Sequence, residues 1–329
     1  MTFFTTVPGA IILLIIGFVF LIKGADFFVE GASSVAKKLH VPALIIGMTI
    51  VAMGTSLPEC SVSVTASLAN SNQLAIGNVV GSNIFNLMIV LGFSALFSEL
   101  VVSETTLKKD FPFSILCAVI LMVMGLIGYQ VGHVDGFILL IIFIIFIVEM
   151  IRTALKARKA GMEADVEIMD DSDIVDISTG KCIVFIIGGI IAIKFGGDWV
   201  VDSCTTLAYA FGMSETLVGL TIVAMGTSLP ELATSVVAAR KNELDMAIGN
   251  VVGSNVFNIL FVLGIAAAIS PVDFIVANAI DLVVLLVFSA LVWILCKSKG
   301  KLNKKDGIIM IVLYVVYLAY LIVRDGGLS

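Results

Sequence analysis

Apolar residues run along this chain in long blocks, separated by short stretches of polar and charged punctuation. Ten blocks are long enough, at about 20 residues, to cross a bilayer as helices. They predict membrane spans near 8–36, 43–69, 74–98, 111–128, 134–154, 181–210, 215–240, 246–270, 275–296 and 306–323. The first and sixth are long enough to be tilted or bent. The pattern also repeats itself. Residues 47–92 align without a gap on residues 219–264 at an offset of 172, and 30 of the 46 aligned positions are identical. That extent of identity marks an internal duplication. Each half holds five spans, an odd number, so the second half must enter the bilayer from the opposite side. The expected fold class is an all-α membrane protein of ten transmembrane helices, arranged as two inverted five-helix repeats. Residues 1–154 form the first five-helix repeat, 155–180 a cytoplasmic linker and 181–329 the second repeat.

Charge gives an independent check on this count. With the N-terminus placed outside, the connections that face the cytoplasm hold 16 of the 19 basic residues. They are Lys37, Lys38, Lys108, Lys109, Arg152, Lys156, Arg158, Lys159, Lys181, Arg240, Lys241, Lys297, Lys299, Lys301, Lys304 and Lys305. The outside receives Arg324, while Lys23 and Lys194 fall within the first and sixth spans. Such a bias sets orientation, so both termini are expected outside and the linker in the cytoplasm.

Composition agrees with a membrane protein. The chain is 60% hydrophobic and 13% charged, where a soluble domain carries about 25% charged residues. The net charge of −6 comes largely from one acidic stretch in the linker, and no basic patch suggests nucleic acid. The N-terminus lacks the positive region of a signal peptide, so the first block reads as a retained helix. The five cysteines (Cys60, Cys117, Cys182, Cys204 and Cys296) show no paired spacing and read as packing thiols. The linker turns from basic to acidic through Glu163, Asp165, Glu167, Asp170, Asp171, Asp173 and Asp176. It reads as a solvated hinge, because it lacks the glycine and terminal glutamate of an EF-hand calcium loop.

The chemistry sits in the duplicated block. Each copy contains GTSLPE inside an apolar run, with Glu59 or Glu231 directly after a proline. A carboxylate at bilayer depth costs about 2.5–3.5 kcal/mol on insertion scales, so two matched ones point to an ion site. Pro58 and Pro230 lack an amide proton and clash with the carbonyls of Gly54 and Gly226, which breaks the helix within the motif. Freed backbone oxygens at that depth must face a partner, a cavity or a cation. Around each break sit Thr55, Ser56 and Glu59, or Thr227, Ser228 and Glu231, and every one offers oxygen. Downstream, Asn78, Ser82 and Asn86 are spaced four apart on one helix face, and Asn250, Ser254 and Asn258 repeat them. Asn83 and Asn255 lie off that stripe, placed to bond neighbouring helices. The glycine pairs Gly77/Gly81 and Gly249/Gly253 have the spacing of close-packed membrane helices. Any one Ser, Thr or Asn reads as interhelical glue; the duplicated set beside a buried glutamate reads as a site. Hard oxygens select hard cations such as Na+ and Ca2+. Two carboxylates balance one Ca2+ or two monovalent ions.

GTSLPE followed by GNVVGSNxFN, present twice, resembles the two alpha-repeats of the sodium/calcium exchangers in the calcium/cation antiporter superfamily. The chain is similar to a compact, prokaryotic-type member. That resemblance implies alternating-access exchange of Ca2+ for Na+ in the cell (inner) membrane, commonly three sodium ions per calcium and hence electrogenic. By matched position it implies that Glu59 and Glu231 bind the ions, with side-chain oxygens from Thr55, Ser56, Ser82, Asn86, Thr227, Ser228, Ser254 and Asn258. It adds the carbonyls of Ala52 and Ala224. Potassium-dependent relatives carry an acid where this chain has Asn258, so independence from K+ is expected. The transported ions are the expected partners, with the lipid bilayer; no cofactor is called for, and a monomer suffices.

A fainter repeat precedes the first: Asp26 and Glu30 match Asp198 and Asp202 at the same offset. They read as end-of-helix polar patches pairing with Lys23 and Lys194, or else as a vestibule or gating contact. An enzyme is disfavoured. The only histidines, His40 and His133, fall in connections expected on opposite sides of the membrane, and no GxSxG nucleophile elbow is present. A proton-coupled calcium exchanger is the nearest alternative, since carboxylates carry protons as well as cations.

Overall fold

A computed structural model describes residues 6–159, 178–212, 222 and 224–324. The acidic run Glu163–Asp176 and the start of the expected span 215–240 lie outside the described residues.

The described chain is almost wholly helical. The helices are α1 (Val7–Leu39), α2 (Ala43–Thr55), α3 (Leu57–Leu68), α4 (Asn72–Phe97), α5 (Thr106–Leu126) and α6 (His133–Lys159). Then come α7 (Thr179–Ala210), α8 (Ala224–Gly226), α9 (Leu229–Arg240), α10 (Leu244–Ile269), α11 (Val276–Lys299) and α12 (Lys304–Arg324). Eight are long and apolar enough to cross a membrane, and α2 with α3 forms one further span bent by 49°. The seventh expected span, 215–240, is described from Ala224 onward, as α8 and α9 on either side of its break. The observed ends run further than the apolar blocks. For example, α5 begins five residues before Phe111 in a wide π turn, Thr106–Asp110, and α6 continues through basic residues to Lys159. Long basic side chains let a helix continue past the apolar region, because their heads reach water while their stems stay covered.

Two antiparallel strand pairs clip the ends of the bundle. Leu100–Val101 pairs with Lys301–Leu302, and Gln130–Val131 pairs with Val272–Asp273. Each tie joins residues from the first half of the chain to residues from the second. At the first helix end, Thr6 caps α1 by accepting from the Gly9 N–H, and His40 closes it in the left-handed conformation at φ 53°.

Burial separates the helices into two sorts. Within α4 and α10, 83% and 78% of the most apolar stretch is buried, against 22–33% for the other unbroken spans. Thus α4 and α10, the helices that carry the repeated GNVVGSN segments, form the centre. The outer helices turn their apolar faces outward; on α1 these include Ile11, Ile12, Ile15 and Val19. An isolated water-facing surface of that kind is unfavourable, whereas hydrocarbon accepts it.

Helix α1 lies along α7 and runs against it. Gly17 meets Gly196, Gly24 meets Gly189, and Gly31 meets Cys182, so rising numbers on one face falling numbers on the other. The pairing places Asp26 and Glu30 toward the opposite end of the bundle from Asp198 and Asp202. The inner glycines of α10 allow a comparably close crossing. Gly249 abuts the Leu44 carbonyl and Gly253 the backbone of Met48, bringing α2 against α10.

That crossing predicts a contrast. A Cβ at Gly253 would sit 2.6 Å from the Met48 carbonyl oxygen, whereas one at Gly188 on α7 would meet nothing within 4 Å. Gly253→Ala should destabilise the purified protein by about 1–3 kcal/mol through overpacking. Gly188→Ala should be neutral or stabilising, by up to about 1 kcal/mol of helix propensity. Thermal unfolding in detergent checks both.

Candidate functional site

The two helix breaks have the same shape. Ser56 lies between α2 and α3 at φ −83°, ψ 12°, and Ser228 lies between α8 and α9 at φ −93°, ψ 6°. In both, proline occupies the second helical position after the break, where its missing N–H costs no hydrogen bond. The glutamate follows it in the first turn, Glu59 on α3 and Glu231 on α9, and both are fully buried. A helix start favours negative charge, so the break that exposes backbone also helps hold the carboxylate.

The breaks are then crossed. Ser56 donates to Glu231 Oε1 at 2.7 Å, and Ser228 donates to Glu59 Oε1 at 2.9 Å. Each glutamate is therefore held by the other repeat's serine. The threonines cross in the same way: Thr55 donates to Asn250 Oδ1 at 3.2 Å, and Thr227 to Asn78 Oδ1 at 3.4 Å. Asn78 and Asn250 in turn hold their own repeat's break. Asn78 donates to the Glu59 carbonyl at 3.2 Å and to Ser63 at 3.0 Å. Asn250 donates to the Glu231 carbonyl at 3.5 Å and to Ser235 at 2.9 Å. The stripe expected to offer oxygens along one face is thus divided. Its first asparagines are spent on bracing, because both ends of each amide already have partners.

The rest of the stripe is unspent. Among the described residues, Oε2 of Glu59 and Glu231, Oγ of Ser82 and Ser254, and Oδ1 of Asn86 and Asn258 are buried without a hydrogen-bond partner. They form three pairs, each related by the sequence repeat. A buried oxygen left unmatched costs about 1–3 kcal/mol, more when charged. Together they gather four acceptor oxygens and two hydroxyls with no geometric hydrogen bond at the two breaks, and the two carboxylates also repel each other there. Ala52 is buried, but its carbonyl already accepts from the Ser56 N–H at 3.0 Å. Ala224 begins α8. Among the described residues no group of three or more His, Cys, Asp or Glu side chains could hold a metal. A site here must be completed by hydroxyls and amides.

A cavity of about 340 Å³ reaches the breaks from α7. Pro58, Thr227 and Pro230 line it on the side of the breaks, and Lys194, Asp198 and Asp202 on the side of α7. Lys194 pairs with Asp198 at 2.7 Å. Toward the other end of α1 the matching acids are partly exposed and paired across elements. Lys241, just after α9, reaches Asp26 at 2.7 Å and Glu30 at 3.7 Å, while Lys23 stands 3.9 Å from Asp26. Beside this tie, burial pushes the Glu243 carboxyl up, against the pull of its Ser33 hydrogen bond. The expected pairing with Lys23 is therefore the lesser contact. Lys241 was hidden from the repeat because its equivalent, by the offset of 172, is Ala69. Ser63 and Ser235 were also passed over, although they are identical in the less similar stretch between the two motif segments.

Comparison with known proteins bears on this geometry. The family described as "Sodium/calcium exchanger protein" matches residues 9–152 and again 181–323. A putative antiporter CaxA from Alkalimonas amylolytica is 37% identical over 316 residues, covering 94% of this chain and 97% of that protein. The sodium/calcium exchanger MaX1 of Methanosarcina acetivorans is 29% identical over 341 residues, covering 94% and 97%. Among solved structures, the sodium-calcium exchanger NCX_Mj soaked with 2.5 mM Na+ and 10 mM Sr2+ superposes with a TM-score of 0.81 at 32% identity. The match covers 95% of this chain and 99% of that one.

The crossed bonds predict a specific pattern of coupling. Ser228→Ala and Glu59→Gln should be non-additive in stability, as should Ser56→Ala and Glu231→Gln, by about 1–2 kcal/mol. Pairs within one repeat, such as Ser56→Ala with Glu59→Gln, which share no direct bond, should couple less strongly. Denaturation of the four single and three double variants separates the two cases.

Proposed function

Because the chain belongs to the sodium/calcium exchanger family, we propose that it is a secondary antiporter exchanging Ca2+ for Na+ by alternating access. The observation that carries this reading is the set of six buried, unpartnered oxygens, paired across the two repeats. We assign the ions to Glu59, Glu231, Ser82, Ser254, Asn86 and Asn258. Thr55, Ser56, Thr227 and Ser228 complete the cage through hydroxyls that also brace the carboxylates. The carbonyls of Ala52 and Ala224 are the remaining candidates. Calcium takes six to eight hard oxygens, which this set supplies without sulfur or imidazole.

Charge explains the coupling. One Ca2+ neutralises two carboxylates, and so do two Na+; a third Na+ makes the loaded carrier positive, so exchange at three to one is electrogenic. An empty site holds two uncompensated buried charges and resists the switch, which links movement of one ion to movement of the other. Amides at Asn86 and Asn258 leave no third carboxylate to balance K+, hence independence from potassium.

The ten-helix inverted repeat is part of the same reading. Its support is that α1 and α7, equivalent by the offset, run in opposite directions, and that equivalent residues bond each other reciprocally. With the termini outside and the linker 155–180 in the cytoplasm, the cavity beside Asp198 and Asp202 opens outward. Acids at its mouth raise the local cation concentration. The tie from Lys241 to Asp26 and Glu30 closes the cytoplasmic end. Movement of α1 with α7 across the bundle then exchanges which end is closed.

In proteoliposomes, calcium efflux should follow an imposed Na+ gradient and be indifferent to K+. Efflux driven by a pH gradient alone would transfer the coupling to protons. Glu59→Gln or Glu231→Gln should weaken calcium binding ~100-fold or more, the consequence of losing about 3–5 kcal/mol from a buried charge pairing. Full exchange in either variant would remove the site from the reading.

A further inference from the structure

Asn83 and Asn255, which lie off the oxygen stripe, form a closed ring between α4 and α10. Asn83 Nδ2 donates to the Asn255 carbonyl at 3.1 Å, and Asn255 Nδ2 donates to the Asn83 carbonyl at 3.2 Å. Asn86 Nδ2 donates to Asn255 Oδ1 at 3.3 Å, and Asn258 Nδ2 donates to Asn83 Oδ1 at 3.2 Å. All four residues are buried.

The order of these bonds is forced. A backbone carbonyl only accepts, so each of Asn83 and Asn255 must turn its NH2 group to the other's backbone. Their Oδ1 atoms then face Asn86 and Asn258 and require donors. Asn86 and Asn258 must present their own NH2 groups there, which leaves their Oδ1 atoms unpartnered on the far side of the amide. A wide π turn begins at each of these two residues, Asn86–Val90 and Asn258–Val262. Such turns are rare and recur at functional sites.

We infer that Asn83 and Asn255 are positioning residues for cation exchange: they fix the amide orientation of Asn86 and Asn258, so that the site receives an oxygen from each and never an NH2. This rests on the ion-binding reading above. The ring fixes a polarity that asparagine does not have by itself, because its two ends have nearly the same shape and exchange places by a half-turn. An NH2 aimed at a cation removes a ligand and adds a repelling dipole. An aspartate at position 86 or 258 has two equivalent oxygens and needs no such help.

That distinction supplies the test. The half-saturating calcium concentration is measured for wild type, Asn255→Leu, Asn86→Asp and the double variant, in liposomes driven by Na+. Asn255→Leu should raise it about tenfold, with a smaller effect on the maximal rate. In the Asn86→Asp background the same leucine should change it less than about twofold, because a carboxylate cannot be presented the wrong way round. The related pair Asn83→Leu and Asn258→Asp repeats the experiment should Asn255→Leu not fold. No change on replacing Asn255, or an equal loss in both backgrounds, overturns the inference and leaves Asn83 and Asn255 as interhelical glue. Absence of calcium exchange in the wild type instead overturns the ion-binding reading, which separates the two failures.

Discussion

Everything in this molecule follows from the need to keep two carboxylates together in a place without water. Glu59 and Glu231 are wholly buried and repel each other. No lysine, arginine or histidine neutralises them among the described contacts; the donors that reach them are hydroxyls. A permanent cation would satisfy the pair and end its usefulness, since a carrier must release what it binds. Serine stabilises a carboxylate oxygen without cancelling its charge. Ser56 and Ser228 therefore hold the pair in place without discharging it, as the proposed ion site requires.

Because each serine serves the other repeat's glutamate, the two halves are welded at the place where each is weakest. A proline-broken helix in a membrane has exposed backbone and little reason to keep its shape. Here α3 is braced by Asn78 and held to the second break through Ser228 and Thr227, while α9 is braced by Asn250 and held to the first break. The close crossing of α2 on α10 at Gly249 and Gly253 brings these partners within reach. The rigid unit is consequently the site itself with its four central segments. The pair α1 and α7 packs lengthwise on one another through small residues, outside that unit.

The sequence made the duplication, the broken helices and the oxygen chemistry plain, because identity at a fixed offset and proline in an apolar run are local facts. What it could not reveal was who bonds to whom. Nothing in GTSLPE says that its serine serves the other copy's glutamate; that follows only when the two breaks face each other. Asn78 and Ser82 share a helix face and were equal in the sequence, yet one is consumed as a brace and the other is left free. The Lys241 contact with Asp26 was invisible for the opposite reason. A reading built on repeats looks where the halves agree, and position 69 holds alanine. One signal was present and unused: Gly17, Gly24 and Gly31 recur every seven residues, as do Gly189 and Gly196, and these are the contacts that bind α1 to α7.

That last asymmetry bears on how a near-symmetric carrier acquires a preferred side. If both ends were closed by equivalent contacts, exchange of the two halves would leave the energy unchanged and neither access state would be favoured. The crossed serine, threonine and asparagine contacts at the two breaks do obey the repeat. The contacts that close the ends do not. At one end Lys241 joins the loop after α9 to two acids of α1; at the other, among the described residues, Asp198 pairs with Lys194 of its own helix, four residues away, beside the cavity. An ion pair within one helix holds nothing shut, whereas one between elements must break before they part. Partly exposed pairs of this kind are worth up to about 1 kcal/mol, enough to shift a balanced equilibrium several-fold without trapping it. Duplication supplies the matched contacts of the two breaks, and divergence outside the motif supplies the difference between the two ends.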